Sequence, residues 1–99
     1  IALSTNGAKL PTMSAALKAA GLDRVNISAD SLRPERIVAI ARRDLKFEPV
    51  RAFEAALEAG LEPVKVNVVV MRGVNDDEVE DFARLTLALP IHVRFIELM

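Results

Sequence analysis

The 99 residues include no cysteine, no tryptophan, no tyrosine and a single histidine. Without cysteine the chain can form no disulfide, supply no thiolate to a metal or iron–sulfur cluster, and use no cysteine nucleophile. It has no apolar run near the roughly 20 residues that span a bilayer, and its start lacks a basic-then-apolar leader pattern. Charge of either sign is not in excess: 13 basic against 14 acidic side chains leave a net charge of −1. Such a surface has no general attraction for nucleic acid or an anionic membrane. Walker and Rossmann glycine patterns and a Ser-His-Asp order are also missing. One small cytoplasmic domain, with neither a nucleic-acid nor a membrane partner, is the expectation.

What is present is an alternation of short β-branched runs with helical patterns. Residues 1–5 form an apolar run that stops at Asn6-Gly7, a turn signal. From about Thr12 to Ala20, Met13, Ala16, Leu17 and Ala20 recur at helical spacing, and Gly21 supplies a stop. Val25 to Ser28 reads as a strand. Pro34 opens a helix to about Arg43, with Arg33 as a weak N-cap, and Pro49 opens another that Gly60 ends. Val64 to Val70 is the clearest strand. Asn75-Asp76-Asp77-Glu78 reads as an N-cap with a capping-box Glu, opening a helix to about Leu87, and the acids of residues 76–81 read as its solvated face. Pro90 precedes a last strand from Ile91 to Met99.

The order β-α-β-α-α-β-α-β predicts an α/β fold with a parallel sheet. Ala15-Ala16-Leu17-Lys18-Ala19-Ala20-Gly21-Leu22 is echoed by Ala55-Ala56-Leu57-Glu58-Ala59-Gly60-Leu61, a faint repeat of the kind that stacked βα units produce. Recurrent glycine stops would give the same echo. Ile1 stands where a starting Met would, and both ends read as strands, so the chain is expected to be an excised piece of a longer one.

Side chains alternate faces along a strand. One face collects Leu3, Val25, Ile27, Val64, Val66, Val68, Ile91, Val93 and Phe95, a surface for helices. The other collects Ser4, Asn6, Asn26, Ser28, Asp30, Lys65, Asn67, His92 and Arg94. A packed parallel sheet is apolar on both faces, and a lysine amid valines is costly unless its ammonium meets water or a ligand. Four strands that agree point to a polar, ligand-filled barrel interior. Ser4-Thr5-Asn6-Gly7, Ser28-Ala29-Asp30-Ser31, Arg72-Gly73-Val74-Asn75 and Glu97-Leu98-Met99 all fall at strand C-terminal ends, the edge where βα folds bind ligands. Turn chemistry accounts equally for each Asn, Ser and Gly taken singly. Lys65 and Arg94 supply positive charge suited to phosphate or carboxylate. His92 has no second ligand at useful spacing, so no metal site is expected.

In order and spacing, Ser4-Thr5-Asn6-Gly7, Val25-Asn26-Ile27-Ser28-Ala29-Asp30-Ser31-Leu32, Val64-Lys65-Val66-Asn67, Arg72-Gly73-Val74-Asn75 and Arg94-Phe95-Ile96-Glu97-Leu98-Met99 resemble the molybdenum cofactor biosynthesis protein A family. Its members are radical S-adenosylmethionine GTP 3′,8-cyclases. The resemblance implies half of an open, TIM-like (βα)6 radical-SAM barrel, strands three to six, over residues 1–99. It implies conversion of GTP to (8S)-3′,8-cyclo-7,8-dihydroguanosine 5′-triphosphate, with a reduced [4Fe–4S] cluster cleaving S-adenosylmethionine to a 5′-deoxyadenosyl radical that takes the ribose 3′ hydrogen. By motif, Ser4 and Lys65 fall on GTP-contacting positions, and Ser28 and Met99 on positions that contact S-adenosylmethionine. Ser4 replaces a Thr and keeps its hydroxyl. Ala29 and Arg33 depart from the family's β-branched or Leu residue and its Asp. The family's cluster cysteines lie before the part matched by residue 1, and its second cluster and Arg-rich tail after residue 99. The 99-residue chain alone is therefore expected to be inactive.

Three other readings stand beside this one. A non-catalytic half-barrel would self-associate through its free sheet edges. Another radical S-adenosylmethionine enzyme would use Ser28 and Met99 equally well. A phosphosugar-binding (βα)8 enzyme would need a Gly-rich phosphate loop after its late strands.

Overall fold

Valine and isoleucine at alternate positions set the sheet, and glycine or proline at the ends of the intervening segments set the helices. The computed structural model describes residues 2–41 and 48–97. The elements run β1 (Ala2–Thr5), α1 (Leu10–Ala19), β2 (Arg24–Ser28), α2 (Pro34–Ala41), α3 (Pro49–Glu58), β3 (Val64–Val70), a 3₁₀ turn (Asp76–Glu78), α4 (Val79–Ala88) and β4 (Ile91–Glu97). The expected α/β order is the observed one. Arg42 and Arg43 at the expected end of α2, Ile1 at the start and Met99 at the end lie outside the described residues.

The four strands form one sheet in the order β1-β2-β3-β4, every neighbouring pair parallel. Strand order equal to chain order matters. With right-handed crossovers it places every helix on the same face, whereas a doubly wound sheet must reverse its order. The burial agrees. Val25, Ile27, Val64 and Val66 are wholly buried and Val68 nearly so, packed with Ala52, Phe53, Ala56, Leu61 and Phe82 from the helical layer. Full burial of each such aliphatic side chain stabilises the fold by roughly 1.5–3 kcal/mol. Phe95 departs from the expected pattern: at the end of the sheet it stays 39% exposed and meets Phe82 edge-on, with ring centroids 6.2 Å apart.

The two copies of the faint repeat end their helices in the same way. Leu22 N–H donates to Leu17 O and Leu61 N–H to Ala56 O, both at 3.0 Å, and the glycine before each Leu has positive φ. A glycine adopts that conformation without the Cβ penalty other residues incur, so it ends α1 and α3 in the same way. The buried Leu22 and Leu61 then lead into β2 and β3.

Helix α1 differs from expectation in phase. It begins at Leu10, and Leu10 and Ser14 are its buried positions, with Leu17 against the core, while Met13 stays 42% exposed. The Ser14 hydroxyl donates to the Leu10 carbonyl, so a polar side chain enters the buried stripe satisfied.

Candidate functional site

The parallel register lines up the polar face of the sheet in two rows. Ser4 pairs with Asn26, Asn26 with Lys65 and Lys65 with His92. One step toward the C-terminal ends, Ser28 pairs with Asn67 and Asn67 with Arg94. Ser4, Ser28, Lys65, His92 and Arg94 are exposed, and Asn26 and Asn67 are half-buried. Five of these side chains, all but the two serines, line an open cleft of about 370 Å³. Among the described residues neither Lys65 nor Arg94 has an acidic partner. Two cations on adjacent strands, flanked by amides and hydroxyls with no side-chain bond among the described residues, suit a polyanion with polar groups attached. The sequence-predicted Ser4, Lys65 and Ser28 are thus brought to one face. Met99 lies outside the described residues.

The C-terminal edge of the sheet is built differently. Ala29 N–H donates to Asn67 O at 3.0 Å, extending the β2–β3 ladder by one bond. Beyond it side chains take over. Val69 N–H donates to Asp30 Oδ1 at 3.0 Å. Asn75 Nδ2 donates to Asp30 O at 2.6 Å and to Val69 O at 2.9 Å, and its Oδ1 accepts from Met71 N–H at 2.7 Å. The Glu78 carboxylate accepts from Ser31 Oγ at 2.7 Å, Leu32 N–H at 2.9 Å and Arg36 Nη1 at 3.0 Å. Arg36 also forms a two-pronged pair with Asp77 at 2.6 and 3.0 Å. That bond holds the Asp77 carboxyl below its ordinary value of 3.8 and raises the Arg36 guanidinium pKa.

These bonds correct two sequence expectations. Asn75 stands at the N-cap position of the 3₁₀ turn, not of α4, whose preceding residue is Glu78, and its side chain makes no capping bond: it ties the loop after β2 to the end of β3. Nor do the acids of residues 76–81 all face solvent, because Glu78 is 1% exposed. Its burial is tolerable because three donors satisfy the carboxylate. The missed signal was the meeting of an Arg-rich segment, residues 24–51, with an acid-rich one, residues 54–81. Arg36 pairs with Asp77 and Glu78 across the two segments, and Arg51 with Glu58. A second polar cleft of about 440 Å³, lined by Val70, Arg72, Asp76 and Glu97, opens at the same edge. Among the described residues, no group of three or more His, Asp or Glu is placed to hold a metal ion, and no helix is long and apolar enough to cross a membrane.

Residues 1–86 match the Radical SAM superfamily. The whole chain is similar to part of curated proteins named GTP 3′,8-cyclase. It is 66% identical over 99 residues to the one from Heliobacterium modesticaldum, covering 30% of that protein. Over 100 residues it is 56% identical to the protein from Desulforamulus reducens, covering 30% of it, and over 99 residues 52% identical to that from Petrotoga mobilis, covering 31%. The chain therefore spans about a third of the length of the curated relatives it matches. A parallel sheet in chain order, helices on one face, an open polar face and a match over most of the sequence lead to one conclusion: the chain belongs to the radical SAM superfamily.

Proposed function

We propose that this chain is the central part of a GTP 3′,8-cyclase and carries portions of two ligand sites on the polar face of its sheet. The observation that carries this reading is the pair of cross-strand rows, Ser4–Asn26–Lys65–His92 and Ser28–Asn67–Arg94, on a face left open by the described helices. Lys65 and Ser4 contact GTP, Lys65 as a cation for the triphosphate and Ser4 as a hydroxyl. Ser28 and Met99 contact S-adenosylmethionine. The hydroxyls, amides and cations of this face suit those two ligands, whereas a chain without cysteine suits no iron–sulfur cluster. The cluster ligands would come from outside residues 1–99. Within the sites S-adenosylmethionine supplies the reactive group, while residues of this chain bind and orient. Residues 1–99 form a partial barrel within a cytoplasmic protein, and net charge near zero gives no reason to expect nucleic acid or membrane as partners.

The test is Lys65→Ala in the full-length, cluster-loaded protein, with GTP and S-adenosylmethionine affinities measured separately. A charge-assisted bond to phosphate is worth about 1.5–3 kcal/mol, so GTP affinity falls roughly 10- to 100-fold, with S-adenosylmethionine affinity nearly unchanged. Equal loss of both would make Lys65 structural and remove the assignment.

A second reading concerns the 99 residues in isolation. β1 and β4 are the outer strands of the sheet, and an apolar hollow that includes Leu3, Leu10, Met13 and Leu17 lies beside β1. Alone, the chain turns over no GTP and self-associates through these edges. Light scattering of the isolated chain checks this, and a stable monomer would contradict it.

A further inference from the structure

The loops at the C-terminal edge are not equally held. After β1 the chain turns on local bonds: Gly7 N–H to Thr5 Oγ1 and Ala8 N–H to Asn6 Oδ1, each spanning two residues. After β2 the chain is held by the side chains of Asn75 and Glu78, 45 to 47 residues distant, and by the bond from Val69 N–H to its own Asp30. The loop begins at Ala29, the residue immediately after Ser28. Its three following residues are each engaged: Asp30 by its carboxylate and its carbonyl, Ser31 by its hydroxyl, Leu32 by its amide. Every one of those bonds except the one between Asp30 Oδ1 and Val69 N–H uses the side chain of Asn75 or Glu78, and both of these are at most 2% exposed.

We propose that Asn75 and Glu78 are positioning residues that fix the end of β2, and with it Ser28, for S-adenosylmethionine. This rests on the assignment of Ser28 given above. A loop held only by its own turn has several nearby conformations, and an oriented hydroxyl at its root then contributes less to binding. Asn75 removes that freedom because one planar amide ties three backbone groups: two carbonyls, from Asp30 and Val69, and the Met71 amide. No other side chain of the same size offers two donors and an acceptor in that plane. Glu78 does the same one turn later, accepting at both oxygens from consecutive residues of the loop. Lys65 lies outside this arrangement, one row toward the strand N-termini and without a bond to Asn75 or Glu78. The two ligands therefore respond differently to its loss.

The deciding experiment is Asn75→Asp in the full-length, cluster-loaded protein. That change keeps the size and turns the two donors into an acceptor facing two carbonyls. Equilibrium affinities for S-adenosylmethionine and for GTP are measured separately, with the thermal midpoint as control. S-adenosylmethionine affinity is expected to fall about tenfold, the scale of one oriented hydrogen bond, and GTP affinity less than about twofold. If Asn75→Asp gives no folded protein, Ser31→Ala, which removes the hydroxyl that donates to Glu78, carries the same test with a smaller, roughly threefold, selective loss. Unchanged S-adenosylmethionine affinity, or equal weakening of both ligands, overturns the positioning role. Failure of the unsubstituted protein to bind S-adenosylmethionine would overturn the assignment of Ser28 together with it, which separates the two failures.

Discussion

The two faces of one sheet carry opposite chemistry from the same strands. Val64, Val66 and Val68 are buried against α3 and α4, while Lys65 and Asn67, the residues between them, look onto an open cleft. The helical face holds the fold through apolar area removed from water. The cleft face contributes little to stability, since its cations have no protein partner among the described residues. A period of two residues thus separates what the chain needs in order to fold from what it offers a ligand. Substitutions one residue apart are expected to have effects of different kinds.

The largest effect lies on the helical face. Phe53 is wholly buried at the centre of the helix layer, and Phe53→Ala in the full-length protein is expected to cost about 3–5 kcal/mol. The thermal midpoint reports it, and ligand affinities at low temperature change only in so far as folded protein is lost. A midpoint within a degree or two of the unsubstituted protein would mean that the layer repacks and that the two faces differ less in their hold on the fold.

Next in size is the cleft face, where the pattern inverts. Lys65→Ala weakens GTP by roughly 10- to 100-fold yet moves stability by no more than about 0.5 kcal/mol, as an exposed, unpaired side chain does. Ser28→Ala, one row nearer the C-terminal ends, is milder. A neutral hydroxyl bond is worth about 0.5–1.5 kcal/mol, so S-adenosylmethionine affinity falls roughly two- to tenfold and GTP affinity is retained. Titrating both variants with both ligands sharpens the comparison into a row-by-row map.

The strands and their faces were legible because the signals are local. β-branched residues mark β3, and alternation of Val with Lys and Asn reveals its two sides without any partner in view. Glycine after Ala20 and Ala59 likewise announced where α1 and α3 stop. The phase of α1 was less legible, because alanines on several sides left the choice to Met13, and a serine that satisfies itself on its own helix is buried instead. The edge of the site was misread for a different reason. Asn75 has the identity of a cap and Glu78 that of a capping box, but their partners, Asp30, Ser31 and Leu32, are more than 40 residues away in sequence. Local rules describe what such residues do when nothing else competes, and here a buried neighbour with unsatisfied backbone groups competed and won.

The Arg36–Asp77 pair joins α2 to the 3₁₀ turn outside both faces' strands, and its effect is the smallest and the most dependent on pH. The Arg36 guanidinium holds the folded-state carboxyl of Asp77 below its ordinary value of 3.8. A carboxyl depressed on folding contributes stability that is fully present above its unfolded-state value and is lost as pH falls through its folded-state value. The difference in thermal midpoint between the unsubstituted protein and Asp77→Asn is therefore constant from about pH 7 to 5. It then narrows below 3.8, where Asp77 takes up its proton. Because both partners are partly exposed, salt narrows the difference as well. A difference that grew on acidification would place the titrating group elsewhere. Its equality in high salt and low salt would mean that the two-pronged hydrogen bond, rather than the charge, is what joins α2 to the 3₁₀ turn.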